Sequence, residues 1–186
     1  HGRALELAQL VYDQRCDTLG QVHPDTLTAM NNLAVAHLQL CHFPQAAALS
    51  AQEAELCSAT LGETHPETLK SLHNLSDIYM AMGRYHEAQD LIRTAYQLRC
   101  DRLGEEHPDT LLALESYADV ERKLGNFTEA LRLWRHAHEI SIKLHGENHP
   151  NTLKRLEKIA AVQTDIGLDY EGTERMLRSI HDRLCV

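Results

Sequence analysis

Gly62-Glu63-Thr64-His65-Pro66-Glu67-Thr68-Leu69 decides how the rest of the chain is read, because close copies begin at Gly20, Gly104 and Gly146, in steps of 42 residues. Aligned, the copies put Gly20, Gly62, Gly104 and Gly146 in one column and His23, His65, His107 and His149 in another. Pro24, Pro66, Pro108 and Pro150 follow, then Thr26, Thr68, Thr110 and Thr152, each before a leucine. Five columns filled identically four times, with no insertion between them, define an internal repeat.

Outward from this stretch, each copy opens a helix. After Pro24 the apolar residues Leu27, Met30, Leu33, Ala34 and Leu40 fall at the spacing of one helical stripe. Proline suits the first helical turn, where its missing N–H has no partner to lose, and Asp25 beside it favours the positive end of the helix dipole. Pro66-Glu67, Pro108-Asp109 and Pro150-Asn151 repeat that start. A tight turn is expected at Cys41, Gly83, Gly125 and Gly167; three glycines can take the left-handed conformation that closes a helix, whereas Cys41 predicts a strained or differently shaped turn.

A second helix is then expected in each unit, over 44–59, 85–102, 127–144 and 169–184. Ala4, Ala46, Ala88, Ala130 and Gly172 keep one depth of this helix small, allowing close helix approach. Phe43, Tyr85 and Phe127 should plug the space between the paired helices. Asp169, Gly172 and Arg175 break the core columns, so the last helix reads as a cap or a fraying end. The units are 1–19, the second helix of an incomplete repeat, then 20–61, 62–103, 104–145 and 146–186. Opening in mid-unit predicts a piece of a longer protein.

Composition narrows the class. An apolar content of 43% with only 5% aromatic residues suits an all-α fold packed through alanine and leucine. A net charge of −9 spread over mixed acidic and basic residues argues against a nucleic-acid partner, which needs a basic face. Five cysteines without a C-x-x-C pair read as free thiols in a reducing compartment, hence a cytoplasmic location. No apolar run is long enough for membrane insertion. The N-x-S/T triplets at Asn74 and Asn126 read as chance occurrences.

Asn32-Leu33-Ala34-x-x-His37, Asn74-Leu75-Ser76-x-x-Tyr79 and Gly83-x-Tyr85-x-x-Ala88 together resemble the tetratricopeptide repeat (TPR). The 42-residue, His-Pro-opened form is most similar to the repeats of kinesin light chains and related arrays in bacterial and fungal regulators and NLR-like ATPases. The resemblance covers essentially the whole chain and implies a right-handed superhelical solenoid of antiparallel helix pairs, about nine helices, whose first-of-pair (A) helices line a concave peptide groove. Against the standard 34-residue unit, eight extra residues would add roughly 12 Å of helix.

With Leu33, Leu75, Tyr117 and Ile159 as buried anchors, the column before them, Asn32, Asn74, Ser116 and Lys158, is expected to face the groove. One position earlier stand Asn31, His73, Glu115 and Glu157. Helical spacing adds Thr28, Lys70 and Lys154, then Asp77 and Asp119, then Met80 and Arg122. Primary amides both donate and accept, so stacked asparagines can hold an extended peptide backbone whatever its side chains. The resemblance implies such a ladder, retained at Asn32 and Asn74 and replaced at Ser116 and Lys158. Lys70, Arg122, Lys154 and Lys158 could receive acidic peptide side chains, and Leu38 and Met80 an apolar one.

Rival chemistry is weaker. Thirteen histidines invite a metal reading, but equivalent histidines in adjacent repeats lie at least about 8–10 Å apart, too far to share an ion. The column reads instead as a helix-entry residue. Gly146 and Pro150 interrupt the His145–His149 pair, His136 and His138 diverge on one helix, and Cys16 and Cys100 share a column with Ser58. Tyr79 and Trp134 fall in repeat-core columns and read as packing residues. No catalytic motif, metal site or cofactor site is expected. The expectation is a non-enzymatic module that captures a short linear peptide of a partner protein, as an adaptor or cargo arm. The alternative is a regulatory or self-assembly arm contacting other domains of a longer chain.

Overall fold

The computed structural model describes residues 2–167, all of whose regular structure is helical. Eight α-helices follow one another: α1 (Gly2–Leu19), α2 (Pro24–Gln39), α3 (Phe43–Leu61), α4 (Pro66–Ala81), α5 (Tyr85–Leu103), α6 (Pro108–Lys123), α7 (Phe127–His145) and α8 (Pro150–Ile166). The helix expected over 169–184 lies outside the described residues. The second-of-pair (B) helices α3, α5 and α7 each run one or two residues beyond their expected ends.

Four A helices start by one device. At the N-caps His23, His65, His107 and His149 the backbone is extended, and the imidazole Nδ1 accepts the N–H of Asp25, Glu67, Asp109 and Asn151 at 3.1–3.3 Å. The histidine column is therefore a capping column, with each ring aligned by a backbone donor that the helix itself cannot satisfy. The threonine column is buried below it. Thr68 Oγ1 donates to Gly62 O at 2.8 Å and Thr26 Oγ1 to Arg15 O at 3.3 Å, tying the start of an A helix to the end of the preceding B helix.

The A-to-B turns also share one form. Backbone N–H groups of Cys41, Gly83 and Gly125 reach back three residues, and those of His42, Arg84 and Asn126 reach back five, each of the latter bonds 2.9 Å long. This is the Schellman closure, which needs a left-handed residue at its hinge. Gly83 and Gly125 supply φ of 75° and 81°; Cys41 adopts φ 59° despite its side chain. The turn at Cys41 thus keeps the shape of its counterparts at the cost of local strain.

The chain forms two compact units, His1–Leu98 and Arg99–Val186, with α5 running through the division. In the first, α1, α2, α3 and α4 pack in succession around Met30, Leu33, Ala46, Ala54, Leu69 and Ile78, and Ser76 Oγ donates to Ala88 O of α5 at 2.9 Å. In the second, α6, α7 and α8 pack around Leu114, Val120, Leu133, Trp134, Ile140 and Leu153. Ala46, Ala88 and Ala130 have no exposed surface, so the small column does allow close approach; Ala4 of α1, in contrast, is exposed. The anchors Leu33, Leu75 and Ile159 are buried, but Tyr117 is only half-buried.

Candidate functional site

In the first unit the candidate face lies on α2 and α4. Asn74 Nδ2 donates to Asn31 Oδ1 at 2.9 Å, an amide-to-amide bond between neighbouring A helices. The ladder therefore joins adjacent columns, and Asn31 is its partner on α2 while Asn32 stands exposed beside it. The bond leaves the Asn31 amino group and the Asn74 carbonyl able to pair with a peptide backbone. Thr28 is exposed, with its hydroxyl donating to Pro24 O at 2.9 Å. Lys70 is held by Glu67 at 3.1 Å on its own helix. Asp77 is exposed and Met80 half-buried.

Two expectations for this face are corrected. His73 is only 6% exposed, so it belongs to the packed side of α4, where its Nε2 lies 3.8 Å from Asp77. Leu38 packs with Tyr79 and Met82 against Ala46, Ala47 and Ile78, which leaves it little freedom to cradle a guest. Both follow from the width of the buried stripe, which wraps further round the helix than one anchor column suggests.

In the second unit the face is built from charges. Arg155 pairs with Glu115, Lys158 with Asp119 at 2.9 Å and Arg122 with Asp165 at 2.5 Å, each pair joining α6 to α8. The Asp165 bond raises the Arg122 pKa, and Asp165 is held below its usual range by the same contact. Arg122 and Lys158 thus already have carboxylate partners in the chain itself. Lys154 is exposed and has no ion pair among the described residues. Ser116 is half-buried.

A cleft of about 410 Å³ opens in this unit, lined by Leu111, Leu112, Glu115, Trp134, Lys154 and Lys158 among others. Trp134 is 2% exposed and Lys158 Nζ lies 5.4 Å from its ring centroid, within reach of a cation–π attraction. Leu112, 53% exposed, offers an apolar wall. The lining residues Leu112 and Arg155 were missed by the sequence reading. One signal was present: Arg155 follows Ala29, Ser71 and Ala113 in its column, and a cation among small residues marks a local change of packing.

Two histidines of α7 have partners of their own. His136 faces Glu105 at 3.4 Å and His138 faces Thr152 O at 3.2 Å, with burial lowering the His138 pKa. The His145 and His149 rings stack with centroids 4.6 Å apart. Among the described residues, no three of His, Cys, Asp and Glu are grouped as a metal ion requires, and no helix is long and apolar enough to cross a membrane.

Comparisons with known proteins agree with this architecture. Among solved structures, a Podosopora anserina protein described as a kinesin light chain of nearly identical TPR-like repeats superposes with a TM-score of 0.87 at 26% identity, over 98% of this chain and 86% of that one. A variant of that protein gives 0.88 at 26% identity, over 98% and 85%. BtubC (BKLC) from P. vanneervenii shares the fold at 15% identity, with a TM-score of 0.84 over 97% of this chain and 73% of that one. A search of curated proteins returns no match. The family model described as tetratricopeptide repeat matches residues 25–101 and 109–169, most of the chain. With its caps, turns and alternating helices repeated at the same interval, the chain belongs to the tetratricopeptide repeat family.

Proposed function

We propose that this chain is a protein-interaction module whose A-helix faces hold an extended segment of a partner protein, in an adaptor or cargo-recognition role; its likeness in fold to kinesin light chain-type TPR repeats supports the reading. The Asn31–Asn74 bond is the observation that carries the reading. It fixes two amides across neighbouring helices while leaving a donor and an acceptor for a peptide backbone. In the second unit, Lys154 beside Leu112 and the Trp134 cleft suits a segment that carries a carboxylate next to an apolar side chain. Nothing in this reading requires a catalytic step.

The test uses a fluorescent peptide selected on the whole chain from a random linear library. Asn32→Ala with Asn74→Ala should weaken its binding several-fold at unchanged helicity, because each lost amide costs about 0.5–1.5 kcal/mol. Unchanged affinity would remove the asparagine face from the binding surface.

A self-assembly arm is the second reading. Leu7 and Leu10 of α1 are 55% and 63% exposed, an apolar pair that another helix could cover. Light scattering decides it: a monomer that still binds the selected peptide argues against self-assembly.

A further inference from the structure

The cleft of about 410 Å³ in the second unit is not a by-product of the repeat. Its walls come from three helices, with Leu111 and Leu112 on α6, Trp134 on α7, and Lys154, Arg155 and Lys158 on α8. Where Leu112, Trp134, Arg155 and Lys158 stand, the same columns of the first unit hold Thr28, Ser50, Ser71 and Asn74. Both sets build the same helices, so the repeat alone does not call for an apolar, cationic lining at this place.

Two properties of the lining describe its occupant. The body of the cleft is apolar: Leu111 and Trp134 are buried in its walls, and the exposed side chains of Leu112 and Leu144 flank them. The charge is positive at one place. In a chain of net charge −9, the lining holds three permanent cations against two carboxylates, Glu106 and Glu115. Arg155 neutralises Glu115 and Lys158 is taken by Asp119, whereas Lys154 has no ion pair among the described residues. Trp134 Nε1 and Arg155 Nε are buried without hydrogen-bond partners among the described residues, so these walls carry N–H groups in excess of acceptors. Unanswered N–H dipoles add to the positive potential that Lys154 sets up. A dianion would find a single unpaired ammonium and an apolar wall, which is a costly place for its second charge. A monoanion with an apolar body fits both properties.

We propose that the α6–α7–α8 cleft binds a small, free organic acid, with its apolar body between Leu111, Leu112 and Trp134 and its carboxylate at Lys154. The volume falls within the range of small-molecule sites, and three helices of one unit enclose it, whereas an extended peptide lies along helix faces. The proposal extends the reading of Lys154 and Leu112 given above by naming a free acid as the occupant, and it requires nothing of the Asn31–Asn74 face.

Trp134 is the chain's only tryptophan, so its fluorescence reports on this cleft. Titrating the whole chain with 4-phenylbutyrate should change that emission saturably, with one equivalent bound by calorimetry. The neutral amide and the amine of the same carbon skeleton should bind at least about tenfold more weakly, since only the acid gains a charge-assisted bond to Lys154. Lys154→Gln should weaken the acid by about tenfold, and Leu112→Thr, which installs the first unit's residue, by several-fold. Both positions are exposed, and circular dichroism checks that the helices are kept. Peptide capture is read separately, by the asparagine variant and the selected peptide. The proposal is overturned if the wild-type chain gives no saturable response, if the amide binds as tightly as the acid, or if Lys154→Gln keeps wild-type affinity. Phenylbutyrate that fails to bind while Lys154→Gln weakens the selected peptide also overturns it, and assigns the cleft to a peptide side chain with peptide capture intact.

Discussion

The two units carry the same columns two repeats apart, yet they hold their A helices together by different chemistry. Where the first unit has Asn31 and Asn74 joined by one amide bond, the second has Glu115 and Lys158, each paired elsewhere. Where the first has Val35, Leu38, Ser71 and Ala81, the second has Asp119, Arg122, Arg155 and Asp165, the members of its three ion pairs with Glu115 and Lys158. The helix between them differs as well: Ser50 and Glu53 of α3 stand where α7 has Trp134 and Ala137. A repeat thus fixes where helices begin, turn and pack, while leaving the lateral bonds between A helices free to vary. The first unit links its A helices by a neutral amide bond and buries Ser50 and Glu53 on α3; the second links them by ion pairs and buries Trp134 and Ala137 at the matching positions of α7.

The largest expected effect lies in that interior exchange. Trp134→Ala should destabilise the second unit by about 3–5 kcal/mol, since the ring is fully packed. The matching change in the first unit, Ser50→Ala, should cost less than about 0.5 kcal/mol or stabilise, because the Ser50 hydroxyl is buried without a hydrogen-bond partner. Denaturant unfolding of the two variants compares them directly, and equal losses would break the contrast.

Glu53 gives the next effect. It is 5% exposed, and burial, opposed by Lys70 and reinforced by Glu67, pushes its carboxyl from 4.5 up to about 7. The folded chain therefore binds this proton more tightly than the unfolded chain. The associated stability is present below the unfolded value and is lost as pH rises through about 7. Thermal stability should fall from about pH 4.5 to about pH 7, by a few kcal/mol in all, and level off above that. Glu53→Ala, which installs the residue found at Ala95 and Ala137, should flatten that profile and be the more stable protein at the alkaline end. A wild-type profile that is flat over this range would remove the buried carboxyl from the comparison.

The smallest effect concerns the charged face. Each α6–α8 ion pair is partly exposed, so a double-mutant cycle of Asp119→Ala and Lys158→Ala should return a coupling of about 0.2–1 kcal/mol that shrinks with added salt. A salt-insensitive coupling would mean the pair is more thoroughly desolvated than its exposure indicates.

Most of the fold was legible because it is written in columns. The His-Pro start, the glycine hinges, the small alanine depth and the B helices all follow from identities that recur at one interval, and even the departure at Cys41 marked the turn that takes a left-handed conformation without glycine. The lateral bonds were not legible in that way. They join unlike columns, Asn31 to Asn74, Glu115 to Arg155 and Asp119 to Lys158. Their register depends on packing that no single column records. His73 was misplaced for a related reason: membership of a polar column does not record burial, and its ring is only 6% exposed.

The A-to-B closure also brings together the side chains of its first and last residues, His37 with His42, Tyr79 with Arg84 and Glu121 with Asn126. The same backbone geometry accepts an imidazole pair, an aromatic ring under a guanidinium, or a carboxylate beside an amide. Such a position can exchange its chemistry by two substitutions while every main-chain bond around it stays in place. An engineer could therefore install a reporter or a crosslink at a chosen bend and leave the main-chain bonds that close the turn unchanged.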